Sequence, residues 1–189
     1  MSKIAASILS ADFAYLADDV QAVIAAGVDS IHFDVMDMHY VPNLTVGPMV
    51  CRSLRQAGVS AMIDVHLMVA APEKLIAPFA DAGADLLSFH PETVGDVAGT
   101  VSAIKRAGMQ VGLVYNPDQS VDIAASLLSE IDMILLMSVY PGFGGQSFIS
   151  TVLEKISHTR SLLDQAGADV ILAVDGGVKV DNIGRIAEA

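Results

Sequence analysis

Short apolar runs alternate with longer amphipathic stretches from one end of the chain to the other. The runs are Ile4–Leu9, Ser30–Met36, Ala61–Met68, Leu86–His90, Val111–Tyr115, Met133–Val139 and Val170–Val174. Each is short and bounded by turn residues, the pattern of a strand buried on both faces of a parallel sheet. Between them the apolar spacing lengthens to that of a helix. In the first such stretch Phe13, Leu16, Val20, Val23 and Ile24 fall on one face, with Ser10 placed to cap its start. Pro48 and Pro72 stand where further helices begin, and Ser120 is placed to cap another.

A repeated phrase marks the joints. Ala26-Gly27-Val28-Asp29, Ala57-Gly58-Val59-Ser60, Ala82-Gly83-Ala84-Asp85, Ala107-Gly108-Met109-Gln110 and Ala166-Gly167-Ala168-Asp169 each precede an apolar run. The first four glycines are 31, 25 and 25 residues apart. The gap of 59 to the fifth leaves room for one more unit, whose joint reads Ser129-Glu130-Ile131-Asp132. Glycine just past a helix supplies the left-handed residue that ends it. The order is therefore strand then helix, seven times over, and such alternation predicts a parallel sheet covered by helices. A doubly wound sheet usually takes five or six strands and a closed barrel takes eight. Seven units favour an α/β fold of the (β/α)8 TIM-barrel class with the eighth βα unit absent. Residues 1–189 are expected to be a single barrel domain that is incomplete at its C-terminus, because the repeat places the end of helix seven at Ala187-Glu188-Ala189.

Composition narrows the function. With 53% hydrophobic residues the chain is not disordered, and a net charge of -12 with 10 Lys+Arg gives no basic face for nucleic acid or an anionic membrane surface. The single Cys51 excludes an internal disulfide framework and a cysteine-built zinc site. Ile4–Leu9 is too short for a secretion signal, and the longest uncharged stretch, Met133–Leu153, is broken by a glycine-rich insert. A soluble cytoplasmic protein is expected.

In a barrel, chemistry gathers at the carboxyl ends of the strands. In the second run His32, Asp34 and Met36 share one face; in the third, Asp64, His66 and Met68 do. The seventh ends in Asp175-Gly176-Gly177. One buried His or Asp in a strand is often a satisfied structural group. Four of them (His32, Asp34, His66 and Asp175) would be costly to bury together without a partner. Two imidazoles and two carboxylates form a ligand set for one divalent metal: Zn²⁺ or Fe²⁺ first, Mn²⁺ or Co²⁺ as alternatives. The uncharged loop Pro141-Gly142-Phe143-Gly144-Gly145-Gln146 lets backbone N–H groups approach an anion, as does the Asp175-Gly176-Gly177 turn, and a helix beginning near Ser147 would add its N-terminus. Together these point to a phosphate site. Met36, Met68 and Met137 share the site-facing register and would form a soft, water-poor wall. His39, His90 and His158 read as loop, structural or surface histidines, and Cys51 as packing.

Ser7-Ile8-Leu9-Ser10-Ala11-Asp12-Phe13, His32-Phe33-Asp34-Val35-Met36-Asp37, His39-Tyr40-Val41-Pro42-Asn43, Asp64-Val65-His66-Leu67-Met68, Asn116-Pro117, Pro141 to Gln146 and Val174-Asp175-Gly176-Gly177-Val178 resemble, in order along the whole chain, the ribulose-phosphate 3-epimerase family. The resemblance implies a metal-dependent isomerase of the pentose phosphate pathway. It would invert C3 of D-ribulose 5-phosphate to give D-xylulose 5-phosphate through a cis-enediolate. It also implies a homo-oligomer with one metal per subunit. Carried over by position, it makes His32, Asp34, His66 and Asp175 the metal ligands and Asp34 and Asp175 the acid/base pair. Ser7, His66, Gly142, Phe143, Gly144, Gly145, Asp175, Gly176 and Gly177 would contact the sugar phosphate. Two positions depart from the family pattern: Met38 where glycine is usual, and Ala6 where proline is common. No GxGxxG follows a strand to hold a dinucleotide. An epimerase of a six-carbon ketose phosphate such as D-allulose 6-phosphate would keep the same residues, and an inactive barrel acting as a metal-binding or interaction module would lose the need for the two aspartates.

Overall fold

A computed structural model describes residues 2–189. Seven parallel strands form one sheet in sequence order: β1 (Ala5–Ser7), β2 (Ser30–Met36), β3 (Met62–Met68), β4 (Leu86–Phe89), β5 (Gln110–Tyr115), β6 (Met133–Met137) and β7 (Ile171–Asp175). Each is followed by a helix: α1 (Leu16–Ala25), α2 (Pro48–Gln56), α3 (Ile76–Ala82), α4 (Val97–Arg106), α5 (Ala125–Leu128), α6 (Val152–Ala166) and α7 (Ile183–Glu188). The seven βα units are those that the repeated phrase predicts. The sheet curls strongly, since the side chains of β2 and β7, five strands apart in the order, approach to 4.0 Å (His32 to Asp175). β1 and β7 are its edges. This is barrel geometry, with a seam between the first and last strands.

The joints work as the glycines require. Gly83 and Gly167 end α3 and α6 at φ 89° and 60°, where a side chain would meet its own backbone. Between sheet and helices lies the main core, which includes Phe33, Phe79, Phe89, Ile63 and Leu87, all essentially without solvent contact. Leu86, Val114, Met133, Leu135 and Met137 fill the concave side.

Helix starts depart from expectation. α1 begins at Leu16 behind Tyr15, not at Ser10, because Ile8–Ser10 forms a separate 3-10 turn first. Phe13 consequently lies about half exposed rather than on the buried helix face. α5 follows Ala124, not Ser120, and α6 begins at Val152 rather than near Ser147. Residues before α6 are held out of the helix because the Ile149 amide donates to the Ser138 carbonyl at 2.9 Å. Pro48 does open α2, and Pro72 opens a 3-10 turn that leads into α3. Among the described residues no helix is long and apolar enough to cross a membrane.

Candidate active site

Parallel register decides which side chains meet. β1 sets Ser7 beside His32; β2 and β3 align His32 with Asp64, Asp34 with His66 and Met36 with Met68; β6 and β7 align Met137 with Asp175. Alternation then turns these residues to the concave side. His32, Asp34, His66 and Asp175 come together so that one ligand atom from each lies within 4.8 Å of the others. His32 Nε2 is 3.3 Å from Asp34 Oδ1 and 4.0 Å from Asp175 Oδ2, and His66 Nδ1 is 3.2 Å from Asp34 Oδ1.

The neighbours of these four are also ordered. Ser7 Oγ donates to Asp34 Oδ2 at 2.6 Å. His32 Nδ1 lies 2.9 Å from Asp64 Oδ2, so its N–H points there and Nε2 is left facing the cluster. His66 Nε2 lies 3.0 Å from His90 Nε2. Asp64 and His90 are therefore part of the site, although the sequence pattern assigned neither a role. Asp64 had a visible signal, sharing the face of His66 two residues away. His90 had only its place at the end of a strand.

The electrostatics separate the two central carboxylates. Burial works against an ionised Asp34, but His32 and His66 outweigh it and hold its carboxyl well below the usual range. Burial pushes Asp175 up; His32 opposes this and the negative Asp34 adds to it. Burial also opposes the charged form of His32, yet Asp34 and Asp64 together keep its pKa well above the ordinary value. Burial, reinforced by His66, holds His90 well below it.

A cavity of about 1040 Å³ runs along the concave side, from the amino ends of β1, β2 and β7 to the cluster near their carboxyl ends. Ser7, Asp34 and Asp175 reach it, and Met36, Met68 and Met137 form its apolar wall. Gly142, Phe143, Gly144 and Gly145 line the rim on one side, Gly176 and Gly177 on another. Gln146 Nε2 shapes the first loop by donating to the carbonyls of Tyr140 and Phe143 at 2.7 and 2.8 Å. The amide of Asn43 donates to the Gly142 carbonyl at 2.7 Å, tying this loop to the one after β2. Gly177 has φ 66°, and a Cβ there would overlap the backbone N of Phe148. The two glycine turns thus pack directly on each other. No residue of the first turn of α6 lines the cavity, so anion binding would fall to loop amides. His39 and His158 are exposed, and Cys51 is buried in packing.

Residues 3–189 match the model of the Ribulose-phosphate 3 epimerase family. A ribulose-phosphate 3-epimerase of Serratia marcescens is 56% identical over 186 residues, which span 98% of this chain and 89% of that one. One from Escherichia coli K12 is 54% identical, over 98% and 83% of the two chains. Among solved structures, KGPDC from Streptococcus mutans superimposes with a TM-score of 0.64 at 15% identity, over 97% of this chain and 82% of that one. The tryptophan synthase complex from Pyrococcus furiosus gives 0.64 at 12% identity, over 98% and 82%. These two likenesses concern the fold alone.

Proposed function

The chain belongs to the ribulose-phosphate 3 epimerase family, and from that premise we propose that it interconverts D-ribulose 5-phosphate and D-xylulose 5-phosphate by inverting C3. The observation that carries the chemistry is the convergence of His32, Asp34, His66 and Asp175 beside a cavity rimmed by glycine loops.

The residues fit one divalent metal, Zn²⁺ or Fe²⁺ by ligand type. His32 Nε2 is buried without a hydrogen-bond partner while it faces two carboxylates, as a ligand nitrogen would be. A divalent ion there supplies Lewis-acid stabilisation of the substrate oxygens that gain negative charge. His32 is oriented for it by Asp64, and the ionised Asp34 supplies compensating charge.

Epimerisation needs a proton taken from C3 on one face and a proton returned on the other. Asp34, kept ionised by His32 and His66, is suited to take it, which leaves a cis-enediolate. Asp175, held high by burial, is suited to hold and deliver a proton from the opposite side. Two carboxyl groups driven apart in this way divide the base and acid roles. The Ser7 hydroxyl, donating to Asp34 Oδ2, leaves Oδ1 for the cluster. Met36, Met68 and Met137 keep water from the reacting carbon. The amides of Gly142–Gly145 and Gly176–Gly177 would hold the phosphate with no cationic side chain, so a chain of net charge -12 can still take an anion. On the family resemblance alone, the enzyme works in the cytoplasm as a homo-oligomer.

Asp34→Asn and Asp175→Asn are each expected to lower turnover of D-ribulose 5-phosphate by about 10²–10⁴-fold, the usual worth of a general acid or base. Circular dichroism and metal content check that fold and ion survive. Near-native kcat in either metal-loaded variant would overturn the two-base scheme. Faster turnover of D-allulose 6-phosphate by the wild type would reassign the substrate.

A further inference from the structure

We infer that His90 and Glu92 are positioning residues that fix which ring nitrogen of His66 is offered to the metal, an inference that rests on the metal reading above. His90 follows β4, and Pro91–Thr93 forms a 3-10 turn that brings Glu92 back beside it. His66 and His90 are both wholly buried, so no water competes for their ring nitrogens. Their Nε2 atoms are 3.0 Å apart, and across such a contact one must donate and the other accept.

Only two neutral arrangements satisfy that contact, and each carries two protons. In the first, His66 holds its proton on Nδ1, toward Asp34 Oδ1 at 3.2 Å. His90 must then donate from Nε2, which leaves its Nδ1 lone pair facing Glu92 Oε1 at 3.6 Å, an unfavourable approach of two electron-rich atoms. In the second, His66 donates from Nε2, His90 carries its proton on Nδ1 toward Glu92, and the Nδ1 lone pair of His66 faces Asp34 Oδ1 at 3.2 Å, an approach that a cation bound by both atoms would turn from repulsion into shared ligation. Only the second makes His66 a ligand.

Glu92 is held in place to favour the second arrangement. Its Oε1 accepts from the Tyr40 hydroxyl at 2.8 Å and from the Asn116 side-chain amide at 3.1 Å. The Tyr40 ring lies against the His90 ring, with centroids 4.7 Å apart. His90 Nδ1 is a buried atom without a hydrogen-bond partner, and the carboxylate of Glu92 is the acceptor aimed at it. The loops after β2, β4 and β5 thus converge on one oxygen whose service is to a ligand nitrogen two rings away. Partners of this kind behind a ligand histidine are typically worth 10- to 100-fold in metal affinity.

The test is a Zn²⁺ titration of the full chain against a chromophoric chelator, with ¹⁵N NMR of the histidines in the Zn²⁺-loaded wild type. His90→Leu should weaken Zn²⁺ binding by about 10- to 100-fold. His90→Gln, whose side-chain oxygen reaches the place of Nε2, should recover most of the loss. Glu92→Gln should fall between the wild type and His90→Leu. The spectra should show His66 protonated on Nε2 and His90 on Nδ1. A folded His90→Leu with native Zn²⁺ affinity, or a loaded wild type with a bare His90 Nδ1, would overturn the relay and leave the metal site standing. A wild type that binds no Zn²⁺ would remove both.

Discussion

Met38 is the one non-glycine residue with a positive φ among the described residues, at 63°. It stands where the family usually has glycine, and the backbone gives the reason: an L side chain in the left-handed region meets its own carbonyl. Its side chain is 61% exposed, so no burial offsets the strain. Met38→Gly is therefore expected to stabilise the fold by about 1 kcal/mol in urea denaturation, the gain being limited by the extra freedom of glycine in the unfolded chain. Unchanged or lower stability would count against that account of the loop. His32 and Asp34 could be picked out from sequence because alternation alone puts them on one face of β2. The roles of Asp64 and His90 could not, because they depend on register: Asp64 serves His32 on the neighbouring strand, and His90 meets His66 only once β4 lies beside β3.

At the scale of elements, the amino ends of the strands are joined by one side chain on α2. Arg55 donates from Nε to the Gly83 carbonyl at 2.8 Å and from one terminal nitrogen to the carbonyls of Val59 and Ala61 at 2.9 and 2.7 Å. Its other terminal nitrogen pairs with Asp85, whose carboxylate also accepts from the Ile63 amide. Arg55 thereby ties α2 to the start of β3 and to the joint between α3 and β4. Arg55→Met should cost about 2–3 kcal/mol in a denaturant titration, since it strands several partly buried carbonyls. Arg55→Lys should recover only a part, because an ammonium cannot match the planar fork. The joints were legible because a glycine that ends a helix has a local cause. The helix starts at Ser10, Ser120 and Ser147 were misplaced because the loops after the strands are shaped by distant contacts, such as Ile149 with Ser138 and Gly177 with Phe148.

In the whole molecule, protection falls from the middle of the sheet toward its edges. Every residue of β3 after Met62 is buried, whereas β1 and β7 are largely exposed or half-buried, and Ile171 is 46% exposed. Hydrogen exchange should accordingly be slowest in β3–β5 and faster in β1 and β7. Equal protection across all seven strands would show that the seam is covered in solution. The curl of the sheet brings β2 and β7 together over the site, where we propose that Asp34 and Asp175 work on opposite faces of one carbon. Turnover of D-ribulose 5-phosphate by the metal-loaded enzyme in D₂O, followed by proton NMR, tests that arrangement most directly. D-xylulose 5-phosphate should appear with deuterium at C3, delivered by a carboxyl group that has exchanged with solvent. Product that keeps its original C3 hydrogen, or no xylulose 5-phosphate at all, would contradict it.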